Sequence, residues 1–128
     1  MAYISFRKQM SKHNDLGVKG EKIAQSYLKN NNYLILETNW RHGRAEIDII
    51  CKKEGILVFV EVKTRTSDYF GKPEEFVTKK KERLMFHAAN EYMELVNHLW
   101  EIRFDIISIL IDNSGNVDLN HFEDAFFP

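Results

Sequence analysis

Acidic side chains and a lysine stand inside two short, otherwise apolar runs of this chain, Ala45-Glu46-Ile47-Asp48-Ile49-Ile50 and Val58-Phe59-Val60-Glu61-Val62-Lys63. Lys53-Glu54-Gly55-Ile56 lies between them, and a tight turn on Glu54-Gly55 would fold the runs into an antiparallel hairpin. With Lys53 paired to Ile56, Asp48 falls opposite Glu61 and Glu46 opposite Lys63, and strand alternation puts all four on one face. Directly opposed residues carry Cβ atoms roughly 4.5–5.5 Å apart. Two carboxylates that close repel each other unless a positive group sits between them, and a hard divalent cation with oxygen ligands meets that need. The ordinary alternative is a solvated strand face on which Glu46 and Lys63 form a cross-strand ion pair. Against it, Ile56 to Val62 is apolar on both faces apart from Glu61, which marks a covered strand where an unpaired carboxylate is costly. The pattern points to a metal site.

The elements that must position these groups can be read from periodicity. Leu16, Ile23, Ala24, Tyr27 and Leu28 recur at helical spacing and predict a helix from Leu16 to Asn31, with Asn14 or Asp15 as N-cap. Strands are predicted over Tyr33 to Trp40, Ala45 to Lys53 and Ile56 to Thr64. A polar segment from Arg65 to Pro73 is expected to be a mobile loop beside the site. A second helix follows from about Thr78 to His98, with Leu84, Ala88, Tyr92 and Leu95 on its buried face. Arg103 to Ile111 and Val117 to Phe122 complete the strands, the latter at an edge. The order helix, three strands, helix, two strands predicts an α/β fold: a mixed five-stranded sheet in which the second helix is the crossover between parallel neighbours and helices flank the sheet.

A length of 128 residues suits a single domain, 1–128, with disorder expected only in the first residues, 1–14. The 44% hydrophobic and 29% charged composition is that of a globular protein with a well-solvated surface. Met1 to Lys8 lacks the apolar core of a secretory signal and no segment is long enough to span a bilayer, so a cytoplasmic chain without membrane contact is expected. Cys51 is the only cysteine, which leaves no internal disulfide or cysteine-based zinc cluster and predicts small core filler. The net charge of −1 does not advertise nucleic-acid binding, but basic residues cluster at Arg41 and Arg44, at Lys63 and Arg65, and at Lys79, Lys80, Lys81 and Arg83. Arg41, Arg44, Arg65, Lys79, Lys80 and Lys81 are the candidates for holding phosphates.

Other residues read as structural. Gly17 and Gly20 lie in a helical pattern with no preceding strand, so close helix packing explains them better than a phosphate loop. The five histidines, His13, His42, His87, His98 and His121, show no metal-ligand spacing. Arg103 and Asp105 share a strand face and predict an ion pair near the site.

Taken together, Gly17-Val18-Lys19-Gly20-Glu21, Asn39-Trp40-Arg41, Glu46-Ile47-Asp48, Phe59-Val60-Glu61-Val62-Lys63-Thr64-Arg65, Phe70-Gly71 and Arg103-Phe104-Asp105 resemble the bacterial YraN-like family. That family belongs to the restriction-endonuclease-like, or PD-(D/E)XK nuclease, superfamily, which includes archaeal Holliday-junction resolvases. Ala45 departs from the family pattern, which more often has glycine there. The resemblance implies a restriction-endonuclease-like core in which Asp48 and Glu61 bind a metal, Lys63 assists the attacking water, and Glu21 is the matching helix carboxylate. Phosphodiester cleavage needs an activated water, neutralised phosphoryl charge and a stabilised leaving oxygen, which a carboxylate-held Mg²⁺ or Mn²⁺ supplies. In that scheme Asp48 and Glu61 are ligands, Glu21 orients a water at the ion, and Lys63 holds the nucleophile or offsets transition-state charge.

The leading expectation is a metal-dependent nuclease acting on DNA in preference to RNA, on structured or branched substrates. A nucleic-acid-binding or scaffolding protein without turnover is the alternative. A third reading has Phe70, Phe126 and Phe127 contacting a partner or a second copy of the chain, which leaves a homodimer open.

Overall fold

The computed structural model describes residues 2–66 and 77–126, with the backbone alone over 2–14. Its elements are α1 (Ala2–Asn30), β1 (Leu34–His42), β2 (Ala45–Lys53), β3 (Ile56–Arg65), α2 (Lys79–Leu95), β4 (Ile102–Ile111) and β5 (Val117–Phe122). Helix α1 does not begin at the expected Asn14 or Asp15; it runs through both from Ala2. The residues before Asn14, among them Arg7, Lys8, Gln9, Met10 and Lys12, are good helix formers, and a cap preference is too weak to stop a helix that its neighbours continue. At the other end Asn32 takes a positive φ of 68°, and the Tyr33 N–H closes the helix on the Leu28 carbonyl at 2.9 Å.

The strands form one sheet in the order β1-β2-β3-β4-β5, parallel only between β3 and β4. Glu54 and Gly55 turn β2 into β3 with both φ angles positive, 51° and 82°, the twist a two-residue hairpin requires. This sets Lys53 against Ile56 and Ile49 against Val60, the register expected from sequence. α2 provides the crossover from β3 to β4, and Thr78 caps it, its Oγ1 accepting the Lys81 N–H at 3.1 Å.

Each face of the sheet has its own core. Ala24 and Leu28 of α1 pack on Val58, Val60, Ile107 and Ile109. Met85, Ala88, Ala89 and Tyr92 of α2 pack on Ile50, Phe59 and Phe104 on the other face. A mixed five-stranded sheet with a helix on each side is the expected α/β architecture and is consistent with a restriction-endonuclease-like core. The buried stripe of α2 follows the spacing 85, 88, 89, 92; Leu95 closes the helix beyond the sheet and is exposed, against expectation. Cys51 is core filler as expected, its thiol pushed up to about 12 by burial. Gly20 meets β3 so closely that a Cβ would overlap the Thr64 hydroxyl, whereas nothing crowds Gly17; close packing explains only the second glycine.

Arg103 and Asp105 form the expected ion pair, bidentate at 2.8 Å to both carboxylate oxygens, but beside Tyr33 and His121 on the α1 face of the sheet and not at the acidic site where the sequence put it. Asp105 also accepts the Asp124 N–H at 3.0 Å and lies 2.7 Å from His121 Nε2, whose Nδ1 meets the Tyr27 hydroxyl at 2.9 Å. This network fastens β5 and α1 to β4. Phe126 is buried in the α2 core and is not available for an exposed contact; Phe70 and Phe127 lie outside the described residues, as does most of the expected loop from Arg65 to Pro73. No helix among the described residues is long and apolar enough to cross a membrane.

Candidate active site

Where the β2–β3 ladder stops, the two acids meet. Backbone pairing ends at Ile49 and Val60, and the next N–H that β3 offers, Val62, donates instead to Asp48 Oδ2 at 2.8 Å. A carboxylate has replaced a carbonyl as the partner of the strand, which draws Asp48 in beside Glu61. Side-chain alternation along β2 is interrupted at the same point: Ile49 packs under α1 and Ile50 under α2, yet Ile47 joins the α2 cluster instead of returning to the α1 side. Opposite, Asn39 of β1 adopts a left-handed backbone, φ 51°.

Asp48 and Glu61 line a cavity of about 370 Å³ with Arg44, Glu46, Thr78, Lys80, Lys81 and Met85. Glu61 is buried and Asp48 half-buried. Burial, followed by the negative charge of Glu61, pushes the Asp48 carboxyl up to about 8; the Val62 N–H opposes this and Glu21 adds to it. Glu21 reaches the group from α1, one residue beyond the close approach of Gly20 to Thr64. Burial raises its pKa, a hydrogen bond from the Asn39 side chain lowers it, and Glu46 and Glu61 raise it further. Glu21, Asp48 and Glu61, from three elements, thus lie within electrostatic reach of one another, although Glu21 does not line the cavity. From α2, the Lys81 ammonium donates to Glu61 Oε1.

The remaining expected residues divide. Arg44 and Lys80 stand at the cavity wall. Arg41 pairs with Glu46 at 3.0 Å across the β1–β2 ladder, so Glu46 has this arginine as its partner, where the sequence suggested Lys63. Lys79 faces Glu82 at 3.8 Å. Lys81 was expected at a phosphate and is found on Glu61. Lys63 is half-buried, two residues beyond Glu61 and paired with Ser108 in the ladder, and is not among the residues lining the cavity; Arg65 ends β3 opposite Leu110. Sequence reasoning used Asn39 only as one mark of the family resemblance and gave it no role at the site. Its signal was an asparagine inside a strand pattern, a residue type that tolerates a left-handed backbone.

Two carboxylates and a third within electrostatic reach are a hard oxygen donor set, and a group pushed up by burial and by its neighbours' negative charge is one that a cation would return to the ionised form. A family model with the description "Uncharacterised protein family UPF0102" matches residues 20–109, from Gly20 through Ile109 of β4. The chain belongs to UPF0102. It is 49% identical over 118 residues to a UPF0102 protein of Flavobacterium psychrophilum, covering 92% of this chain and 98% of the relative. It is 44% identical over 119 residues to one of Bacteroides thetaiotaomicron, covering 93% and 98%. A third, from Chlorobium phaeobacteroides, is 45% identical over 117 residues, covering 87% and 92%. UPF0102 is the YraN-like family that the sequence resembled, and its match takes in Glu21, Asp48, Glu61, Lys63 and the first turn of α2, leaving β5 outside.

Proposed function

We propose that the chain is a Mg²⁺- or Mn²⁺-dependent nuclease that hydrolyses phosphodiester bonds in DNA, with a preference for structured or branched substrates. The observation that carries this reading is the meeting of Asp48 and Glu61 at a cavity whose wall also bears Arg44 and Lys80, with Glu21 within electrostatic reach of both acids. Acids held together at an energetic cost beside cationic groups suit a hard ion and a phosphate. Asp48 and Glu61 would hold the ion and Glu21 would orient a water beside it. When bound, the ion lowers the pKa of water and offsets charge on the phosphoryl oxygens. Lys63, on the face of Glu61 by strand alternation, is assigned to the attacking water. Arg44, Lys80 and the capped N-terminus of α2 would hold phosphates on either side of the cut, with Arg41, Arg65 and Lys79 as outlying contacts. Lys81 donates to Glu61 here, and a cation held by Asp48 and Glu61 would compete with it and leave its ammonium available to a phosphate. Water adds to phosphorus and the P–O bond to the leaving strand breaks, leaving one phosphate monoester end and one hydroxyl.

A binding or scaffolding role without turnover is favoured by one feature: the Lys81 ammonium already neutralises Glu61. A panel of linear, flapped and four-way DNA, with RNA counterparts, separates the readings when incubated with Mg²⁺ or Mn²⁺. Cleavage by the wild type that is abolished in Glu61→Gln supports the enzyme. Tight binding with no cleavage of any substrate overturns it in favour of the binding role.

A further inference from the structure

A second group of metal-ligating side chains forms between β1 and α2. His42 is the last residue of β1, and His87 and Glu91 lie one turn apart on α2, so both face the same way. One ligand atom from each of the three lies within 4.8 Å of the other two. His42 is half-buried and stacked on Trp40, centroids 6.1 Å apart and planes 9° from parallel. Trp40 stands edge-on to Tyr92, which is buried in the α2 core, so packing fixes the direction in which His42 points. Its ring centroid is 5.7 Å from that of His87.

We propose that His42, His87 and Glu91 bind a first-row transition-metal ion of the zinc type, at a site separate from the acidic cavity. Two imidazoles and one carboxylate with a further position open is a donor set zinc accepts, whereas Mg²⁺ is held by oxygen donors. Metal–ligand bonds of about 2.0–2.2 Å place tetrahedral ligand atoms roughly 3.3–3.6 Å apart, so the three must close by no more than about 1.5 Å. His87 is exposed and Glu91 half-buried, and rotation of these side chains provides that movement. The bound ion would tie the β1–β2 turn, with Arg41 and Arg44, to the helix that carries Lys80 and Lys81. It would then set the spacing of basic groups from two elements at the acidic cavity.

The test is titration of the full, tag-free chain with Zn²⁺ against a chromophoric chelator, with Co²⁺ absorption in the visible as a direct report of imidazole ligation. One equivalent should bind. Loss of an outer partner of a metal ligand costs about 10–100-fold in affinity, so His42→Ala and His87→Ala should each weaken binding by about 100-fold or more, and Glu91→Gln by about 10-fold. The metal-free variants should keep the wild-type circular dichroism, which separates ligand loss from misfolding. Asp48→Asn with Glu61→Gln should leave Zn²⁺ affinity unchanged, and millimolar Mg²⁺ should not displace the ion. Absence of a one-equivalent site, wild-type affinity in the His42→Ala/His87→Ala variant, or loss of Zn²⁺ in the Asp48/Glu61 variant would each overturn the proposal.

Discussion

Replacing Asp48 with asparagine should stabilise the metal-free protein, and by an amount that grows with pH. The side chain keeps an oxygen to accept the Val62 N–H, so the substitution removes charge while preserving the hydrogen bond that holds β2 to β3. Burial and the charge of Glu61 raise the carboxyl from 3.8 to about 8. Between those values the folded chain retains a proton that the unfolded chain has released, so stability falls as pH rises, by up to about 1.4 kcal/mol per pH unit from this group. Below pH 4 the group costs nothing, and above pH 8 the cost levels off at an upper limit of about 6 kcal/mol. Lys81 beside the pair and water in the cavity both reduce that figure, and we expect about 2–4 kcal/mol at pH 8. Urea unfolding of wild type and variant at pH 4, 6 and 8 measures the difference directly, since contributions common to both proteins cancel. Adding Mn²⁺ at pH 8 should restore stability to the wild type and do little for the variant. A variant less stable than wild type at pH 8, or a difference that does not change with pH, would refute the account of Asp48 as a half-buried, repelled acid.

Three further perturbations address other parts of the molecule. Arg44→Ala with Lys80→Ala should weaken DNA binding across sequences and lower the salt slope by roughly 1.8, about 0.9 for each phosphate contact, in filter binding between low and moderate salt; an unchanged slope removes both residues from the interface. Asp105→Asn should cost about 1.5–3 kcal/mol in thermal or urea unfolding, because it removes the bidentate anion of the half-buried Arg103 guanidinium and leaves it Glu123 at 3.7 Å and the Tyr33 hydroxyl at 2.7 Å. Burial alone would raise Asp105, but its bonds from His121, Arg103 and the Asp124 N–H hold it below the usual carboxylate range. Its contribution is therefore present above that range and lost on acidification, so the variant should show a flatter acid limb. Gly20→Ala should destabilise by about 1–3 kcal/mol through overlap with Thr64, with the melting temperature as the readout, whereas Gly17→Ala should be neutral or better.

The strands were legible because their signals are local. Glu54-Gly55 specifies its turn, and the turn specifies the register that brings Asp48 toward Glu61. The start of α1 was not legible, because Asn14 and Asp15 carry cap chemistry that the chain does not use. Partners of the charged groups were legible only within an element, as for Arg103 and Asp105. Lys81 was placed correctly on α2, but nothing local says that an ammonium reaches from that helix across to β3. The grouping of His42 with His87 and Glu91 escaped for the same reason, although the separation of four residues between His87 and Glu91 on a helix was a usable signal.

Most of the departures from strand regularity gather in one place; the exception is a β-bulge of β1 between Ile35 and Glu37, opposite Cys51 and Ile50. The ladder ends at Ile49, alternation fails at Asp48, Asn39 takes a left-handed backbone, and a buried glutamate sits on β3, all at one end of three adjacent strands. The other end of the same hairpin, from Cys51 to Val58, obeys every local rule. A fold under selection for stability alone would replace Glu61 and Asp48 with apolar residues of similar size, at a gain. It would also carry β2–β3 pairing through to Lys63. Local rules broken together, beside a cavity whose lining includes Arg44, Lys80 and Lys81, are what the proposed function expects at the end of the molecule where it puts the site, since a site gives up local stability for its chemistry.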